Sequence, residues 1–203
     1  MVGSIKDHFE VEVLGDEVAW IRVGSDRRLY ASTPLNGFFL HISGFDPSTI
    51  EHPQASVAVR CINCPTMHAQ WESSNGVPLS AIIFCTRRHT GVPLISEAFT
   101  WQHGFKVMCC STAEVEPIFD PMGMARFLGY SFGDYLKHWL SFDKSNNRLP
   151  KLFFINLFQS GSNNEYLWPG YGDNIRIFEW IIRRISSPSV SSVIDTPVGF
   201  RPL

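Results

Sequence analysis

SAIIFCTRRHTGVPL, residues 80–94, is the stretch on which the fold turns. Ser80 to Phe84 is short, continuous and apolar, with β-branched Ile82 and Ile83, the pattern of a strand buried on both faces. It runs into Arg87-Arg88, a basic pair at the carboxyl end of a predicted strand. Ligands of α/β sheets gather there, and guanidinium is a natural fork for phosphate. A solvated surface pair is the other reading of the same two residues.

Working outward, Pro93 near a start and Gly104 after an end predict a helix over 93–103. Phe105 to Cys110 then reads as a strand. Phe132, Tyr135, Leu136, Trp139 and Leu140 recur at helical spacing and predict an amphipathic helix over 132–142. Lys151 to Phe158 reads as a second strand. Phe178, Ile181, Ile182 and Ile185 mark a further helix that Asp173 or Asn174 could cap. Before residue 80, Val11–Val13 and Val18–Val23 are short apolar runs. Strands alternating with helices predict an α/β fold: a mixed, largely parallel sheet with flanking helices. The Ser-rich run 186–192 is expected to be a loop. TPVGFRPL is expected to end the chain without a closing element, as a truncated piece would.

The 203 residues suffice for one domain with a real core. Hydrophobic residues at 44% and charged residues at 18% describe a folded globular chain. A net charge of −2 offers no broad attraction to nucleic acid or anionic membrane. No apolar run has membrane-spanning length, and MVGSIKDHFE lacks a secretory h-region. Cys61 and Cys64 form a lone C-x-x-C with no second pair at zinc spacing. Redox motif, half a metal site and core thiols all fit that pair, and a reducing compartment fits the odd total of five. There is no G-x-x-x-x-G-K-[ST] loop, no G-x-S-x-G elbow and no H-E-x-x-H.

Three constellations could carry chemistry. Phe158, Tyr166 and Tyr171 flank a polar loop and could sandwich a base, with Asn174 at its edge, or could simply be core. Asp16 and Glu17 follow Gly15 and suit a hard divalent cation, or are a solvated acidic pair. Arg87 is the third, as above.

Taken in order, GDEVAW (15–20), NGFF (36–39), HPQASVAVRCINCP (52–65), WESSNGVPLSAIIF (71–84), RRHTGVPL (87–94), EAFTWQHG (97–104), DPMGMARFLGYSFGDYLKHWL (120–140), LPKLFFINLF (149–158), EYLWPGYGDNIRIFEW (165–180) and TPVGF (196–200) resemble GTP-dependent phosphoenolpyruvate carboxykinase in its C-terminal, nucleotide-binding half. The resemblance implies conversion of oxaloacetate and GTP to phosphoenolpyruvate, CO2 and GDP, in gluconeogenesis. It implies Mn2+ at the enolate, Mg2+ with the nucleotide, and a monomer in cytosol or mitochondrion. Position by position, Phe158, Tyr166, Tyr171, Gly172, Asp173 and Asn174 match the guanine side, and Arg87 matches a contact to the transferring phosphate. Glu17, with Asp16 beside it, matches the metal carboxylate.

Departures accompany the matches. The family's phosphate loop, its catalytic Cys, and the Lys and His of its manganese site lie before the GDE segment. Gln54 and Ser56 stand where an Asn and an Arg are expected, and Cys85 and Thr86 replace two glycines. CCSTAEVEPIF is shorter than the family's mobile lid. Residues 1–203 are therefore expected to be a partial GTP-binding domain, truncated at both ends and with an internal deletion near 43–52. The expectation is a carboxykinase relative that is inactive by itself; the alternative is a non-catalytic remnant that binds a purine nucleotide or a partner.

Overall fold

The structure is a computed structural model that describes residues 9–41, 56–109, 125, 127–143, 146–187 and 193–203. Residues 43–52, the 110–120 segment, Gln54 and most of the Ser-rich run lie outside it. Its contacts fall into two units, Met1–Leu79 and Ser80–Leu203.

The first unit is built from short antiparallel strands: β1 (Trp20–Val23), β2 (Leu29–Ser32), β3 (Gly37–His41), β4 (Ser56–Arg60) and β5 (Val77–Pro78). β2 lies between β1 and β5, and β3 pairs with β4. Leu29 and Cys61 are fully buried. The run 11–13 contributes only a single bridge, Val13 to Met67. Gly76 has φ +66°, and a Cβ there would stand 2.2 Å from the Ala31 carbonyl oxygen. Only glycine allows β5 to approach β2 so closely.

The second unit holds a five-stranded sheet in the order β6-β8-β7-β10-β9. Its strands are β6 (Ala81–Cys85), β7 (Ile95–Glu97), β8 (Lys151–Ile155), β9 (Val193–Thr196) and β10 (Gly199–Pro202). Among the described residues three helices accompany it: α1 (Trp101–Cys109), α2 (Phe132–Ser141) and α3 (Asn174–Ser186). The architecture is α/β with a mixed sheet, as expected. The parallel pairing within that sheet is confined to β6 and β8; the β8–β7, β7–β10 and β10–β9 pairs are antiparallel.

β8 shows why LPKLFFINLF is so apolar. Leu152, Phe153, Phe154 and Ile155 are all buried because both sheet faces are covered. Phe153 and Ile155 pack with Ile95, Ile177 and Ile181, so α3 covers one face. On the other, Phe154 stacks on Phe84, whose ring meets Phe105 of α1 edge-on. Phe105 in turn stacks on Trp139 of α2, and Trp101 Nε1 donates to the Trp139 carbonyl at 2.8 Å.

Several expectations are corrected. The predicted helix over 93–103 is instead the buried strand β7 followed by the start of α1, and residues 105–109 of the predicted strand 105–110 are the body of that helix. Gly104 had suggested a helix stop. It sits inside α1 because a Cβ there would come within 2.3 Å of Leu152 Cδ1; the glycine lets helix and sheet touch. The true start signal is Thr100, whose Oγ1 accepts from the His103 N–H at 3.1 Å, while His103 Nδ1 accepts from the Phe99 N–H at 3.3 Å. The arrangement resembles a capping box, with histidine in the return role and its bond placed one residue before the cap, on the Phe99 N–H.

The buried stripe of α3 is Ile177, Ile181 and Arg184, and Phe178 and Ile182 face outward. Neither Asp173 nor Asn174 caps that helix through its side chain. The residues of TPVGFRPL form much of the β9–β10 hairpin that extends the sheet. Glu97, buried in β7, is held by Lys151 Nζ at 2.6 Å and by the buried Arg184 Nε at 2.5 Å. No helix among the described residues is long and apolar enough to cross a membrane.

Candidate functional site

The parallel pair brings two segments distant in sequence to one edge. Arg87 follows the end of β6, and Phe158 follows the end of β8. The Arg87 guanidinium lies 4.8 Å from the Phe158 ring centroid, a cation–π contact at an exposed position. Phe158 meets Tyr166 with centroids 5.8 Å apart and planes at 88°. The rings thus stand edge to face, not as parallel walls, and a base would stack on one ring and abut the other. Tyr166 remains largely exposed.

Hydrogen bonds shape the loop between these rings. Leu167 N–H donates to the Gln159 carbonyl at 2.8 Å, and Gly161 N–H to the Glu165 carbonyl at 2.9 Å. Ser160 N–H donates to the His89 carbonyl at 2.9 Å, while His89 Nδ1 and Ser160 Oγ are 2.9 Å apart. The Arg87 segment and the Phe158 segment are therefore sewn together along their length.

At the start of α3, Tyr171, Gly172 and Asp173 form a single 3-10 turn. The Tyr171 side chain lies outside the described residues. Asp173 Oδ1 accepts from Arg176 Nη1 at 3.1 Å. Asn174 Oδ1 accepts from Trp168 Nε1 at 2.8 Å, so its carbonyl end is engaged and its amide donors are the groups left for a base edge. Trp168 packs against the Ile95–Phe153–Ile177 core and carries the Arg176 guanidinium 5.6 Å from its ring centroid. It is a packing residue.

Asp16 and Glu17 belong to the first unit, on the rim of a cleft of about 340 Å3 that also includes Thr33, Gln70 and Trp71. Glu17 adopts φ 58°, and Val18 N–H reaches the Asp16 carbonyl at 2.6 Å, a tight γ-type turn. Asp16 Oδ1 accepts from the Glu17 N–H at 3.0 Å. Among the described residues no group of three His, Cys, Asp or Glu side chains could hold a metal ion. A divalent cation of the Mg2+ or Mn2+ type takes about six ligands, so this pair does not make a site by itself.

Cys61 is buried with its thiol pushed up by burial, and Cys64 N–H closes a turn onto the Cys61 carbonyl at 2.9 Å. The sequence reading missed Asn156, which is fully buried and binds both segments of the site. A lone polar residue inside the apolar run KLFFINLF was the available signal.

A family model described as phosphoenolpyruvate carboxykinase C-terminal P-loop domain matches residues 41–203. The chain belongs to the GTP-dependent phosphoenolpyruvate carboxykinase family. That match contains Arg87, Phe158, Tyr166 and Asn174, whereas Asp16 and Glu17 precede it. Phosphoenolpyruvate carboxykinase (GTP) of Haemonchus contortus is 34% identical over 260 residues, covering 96% of this chain and 42% of the relative. That of Ascaris suum is 33% identical, with 96% and 40% covered, as is the mitochondrial enzyme of Homo sapiens. The chain thus spans about two fifths of the length of these family members. The aligned stretch is longer than the chain's 203 residues.

Proposed function

We propose that the Ser80–Leu203 unit is the nucleotide-facing part of a GTP-dependent phosphoenolpyruvate carboxykinase domain, and that these 203 residues alone do not turn over. The observation that carries this reading is the convergence of Arg87, Phe158 and Tyr166 at the carboxyl ends of the parallel pair β6–β8. In this reading Phe158 offers a face to the purine and Tyr166 an edge. Asn174 gives amide donors to the base, beside the turn formed by Tyr171, Gly172 and Asp173. Arg87 meets the phosphates, where positioning and charge stabilisation dominate phosphoryl transfer.

The substrates would be oxaloacetate and GTP, giving phosphoenolpyruvate, CO2 and GDP. Mn2+ and Mg2+ are the ions the family implies, with Asp16 and Glu17 as the carboxylates on this chain. Since these two do not complete a site among the described residues, no step is routed through them. Cytosol and mitochondrion both fit this reading.

Base stacking without a phosphate loop should be weak. Calorimetry with GTP should give a dissociation constant no better than about 1 mM, roughly −4 kcal/mol. In a coupled assay with Mn2+, oxaloacetate and GTP, no phosphoenolpyruvate should form. Turnover lost on Arg87→Ala would overturn the inactive assignment. Micromolar GTP binding without turnover would favour the alternative, a nucleotide-binding remnant, which the preserved base side already suits.

A further inference from the structure

We propose that Asn156 is the positioning residue of the nucleotide edge: its buried amide holds the Arg87 segment and the Phe158 segment as one prearranged unit. Asn156 directly follows β8 and is 0% exposed. Its Oδ1 accepts from the Arg88 N–H at 3.0 Å and from the Phe158 N–H at 3.3 Å. Its Nδ2 donates to the Arg88 carbonyl at 2.8 Å and to the Val92 carbonyl at 3.2 Å. Two donors and two acceptor sites are the whole capacity of a carboxamide, and all are used. The backbone N–H of Asn156 adds a bond to the Leu94 carbonyl at 2.9 Å.

The chemistry selects asparagine. The segment from Arg88 to Val92 lies in no strand, so side-chain partners satisfy backbone groups buried there. Aspartate would place a charge against the Arg88 and Val92 carbonyls. Leucine, of similar size, would leave two N–H and two C=O groups unpaired. Glutamine is one methylene too long for a fully enclosed position. By gripping Arg88 on one side and Phe158 on the other, Asn156 fixes the residue next to Arg87 and the ring that Arg87 covers. Binding costs fall when the recognising groups are already in place, so the effect on a ligand is preorganisation. The functional meaning rests on the nucleotide reading above; the positioning itself does not.

The test is hydrogen exchange and NMR on the full chain. In the wild type, the Arg88 and Phe158 amides should exchange within about tenfold of the central-strand Phe154 amide, through cooperative opening. The Arg87 Nε–H resonance should carry the ring-current shift of Phe158. Asn156→Leu, measured where it is folded, should lower protection of Arg88 and Phe158 about a hundredfold relative to Phe154 and abolish that shift. Leu152→Ala, a core truncation on the same strand, should lower stability without either selective change.

Unchanged relative protection together with an unchanged Arg87 resonance in Asn156→Leu would overturn the proposal. If that variant does not fold, the wild type decides: Arg88 and Phe158 exchanging more than about a hundredfold faster than Phe154 would also overturn it. Titrating wild type with GTP separates the two ideas. An intact latch with no GTP-dependent shift at Arg87 or Phe158 up to several times the expected constant of about 1 mM would sink the nucleotide reading and leave the positioning role standing.

Discussion

Thr86 lies between the end of β6 and Arg87, almost fully buried, and its Oγ1 has no hydrogen-bond partner. Leaving a hydroxyl unpaired in a closed site costs on the order of 1–3 kcal/mol, whereas an isosteric methyl avoids that cost. Thr86→Val should therefore raise unfolding stability by about 1 kcal/mol in urea denaturation; a loss of similar size would show that the hydroxyl has a partner after all. The resemblance placed glycine at this position and at Cys85. The Thr86 side chain is turned into the protein, and Cys85 is exposed. Such a detail depends on which way one side chain rotates, which no local pattern encodes.

At the scale of the element, α1 gives two opposed tests. Helix propensity favours Ala over Gly by about 1 kcal/mol, so an exposed Gly104→Ala would stabilise. Here the added methyl would meet Leu152 Cδ1 at 2.3 Å and Leu152 and Ala98 Cβ atoms at 3.0 and 3.1 Å. Overpacking of that kind costs about 1–3 kcal/mol, and Gly104→Ala should lower the melting temperature.

The capping histidine makes the same helix acid-sensitive. Burial holds the His103 pKa below its ordinary value of 6.5, and its Nδ1 accepts from the Phe99 N–H. The unfolded chain then binds the proton more readily than the folded one. The His103 contribution is thus fully present above pH 6.5 and lost as pH falls through its lower folded value. Against His103→Gln, the wild type should show the steeper fall in stability on acidification from pH 6.5, read from urea midpoints. Equal slopes would refute the assignment. The misreading of 93–110 has the same origin. Pro93 and Gly104 are good helix punctuation in isolation, but burial made Ile95–Glu97 a strand and packing made Gly104 a helix-interior contact.

For the whole molecule, the apolar surface matters most. Tyr166, Leu167, Phe178 and Ile182 are all substantially exposed on the second unit. Exposed large apolar side chains favour association. The chain should self-associate at micromolar concentration in sedimentation velocity, and Phe178→Lys with Ile182→Lys should shift it toward monomer. A wild type already monodisperse at high concentration would argue against this. Inside the unit, the ion triad of Glu97, Lys151 and Arg184 joins β7, β8 and α3. Its three members are more than thirty residues apart from one another in sequence, so only the closed sheet reveals them as partners.

What the sequence by itself determined is the identity of the pieces. Continuous apolar runs required buried strands, the 3.6 period required α2 and α3, and long specific motifs carried the carboxykinase resemblance and the list of candidate residues. What only the tertiary structure decided is how those residues meet. The parallel pairing of β6 with β8 brings Arg87 to Phe158, the rings of Phe158 and Tyr166 stand perpendicular, and Asn156 ties the two segments from within. The physical reason is range. Propensity and periodicity act over a few neighbours, while the Asn156–Arg88 and Arg87–Phe158 contacts join groups about seventy residues apart, and their geometry follows from burial and hydrogen-bond satisfaction in the closed fold.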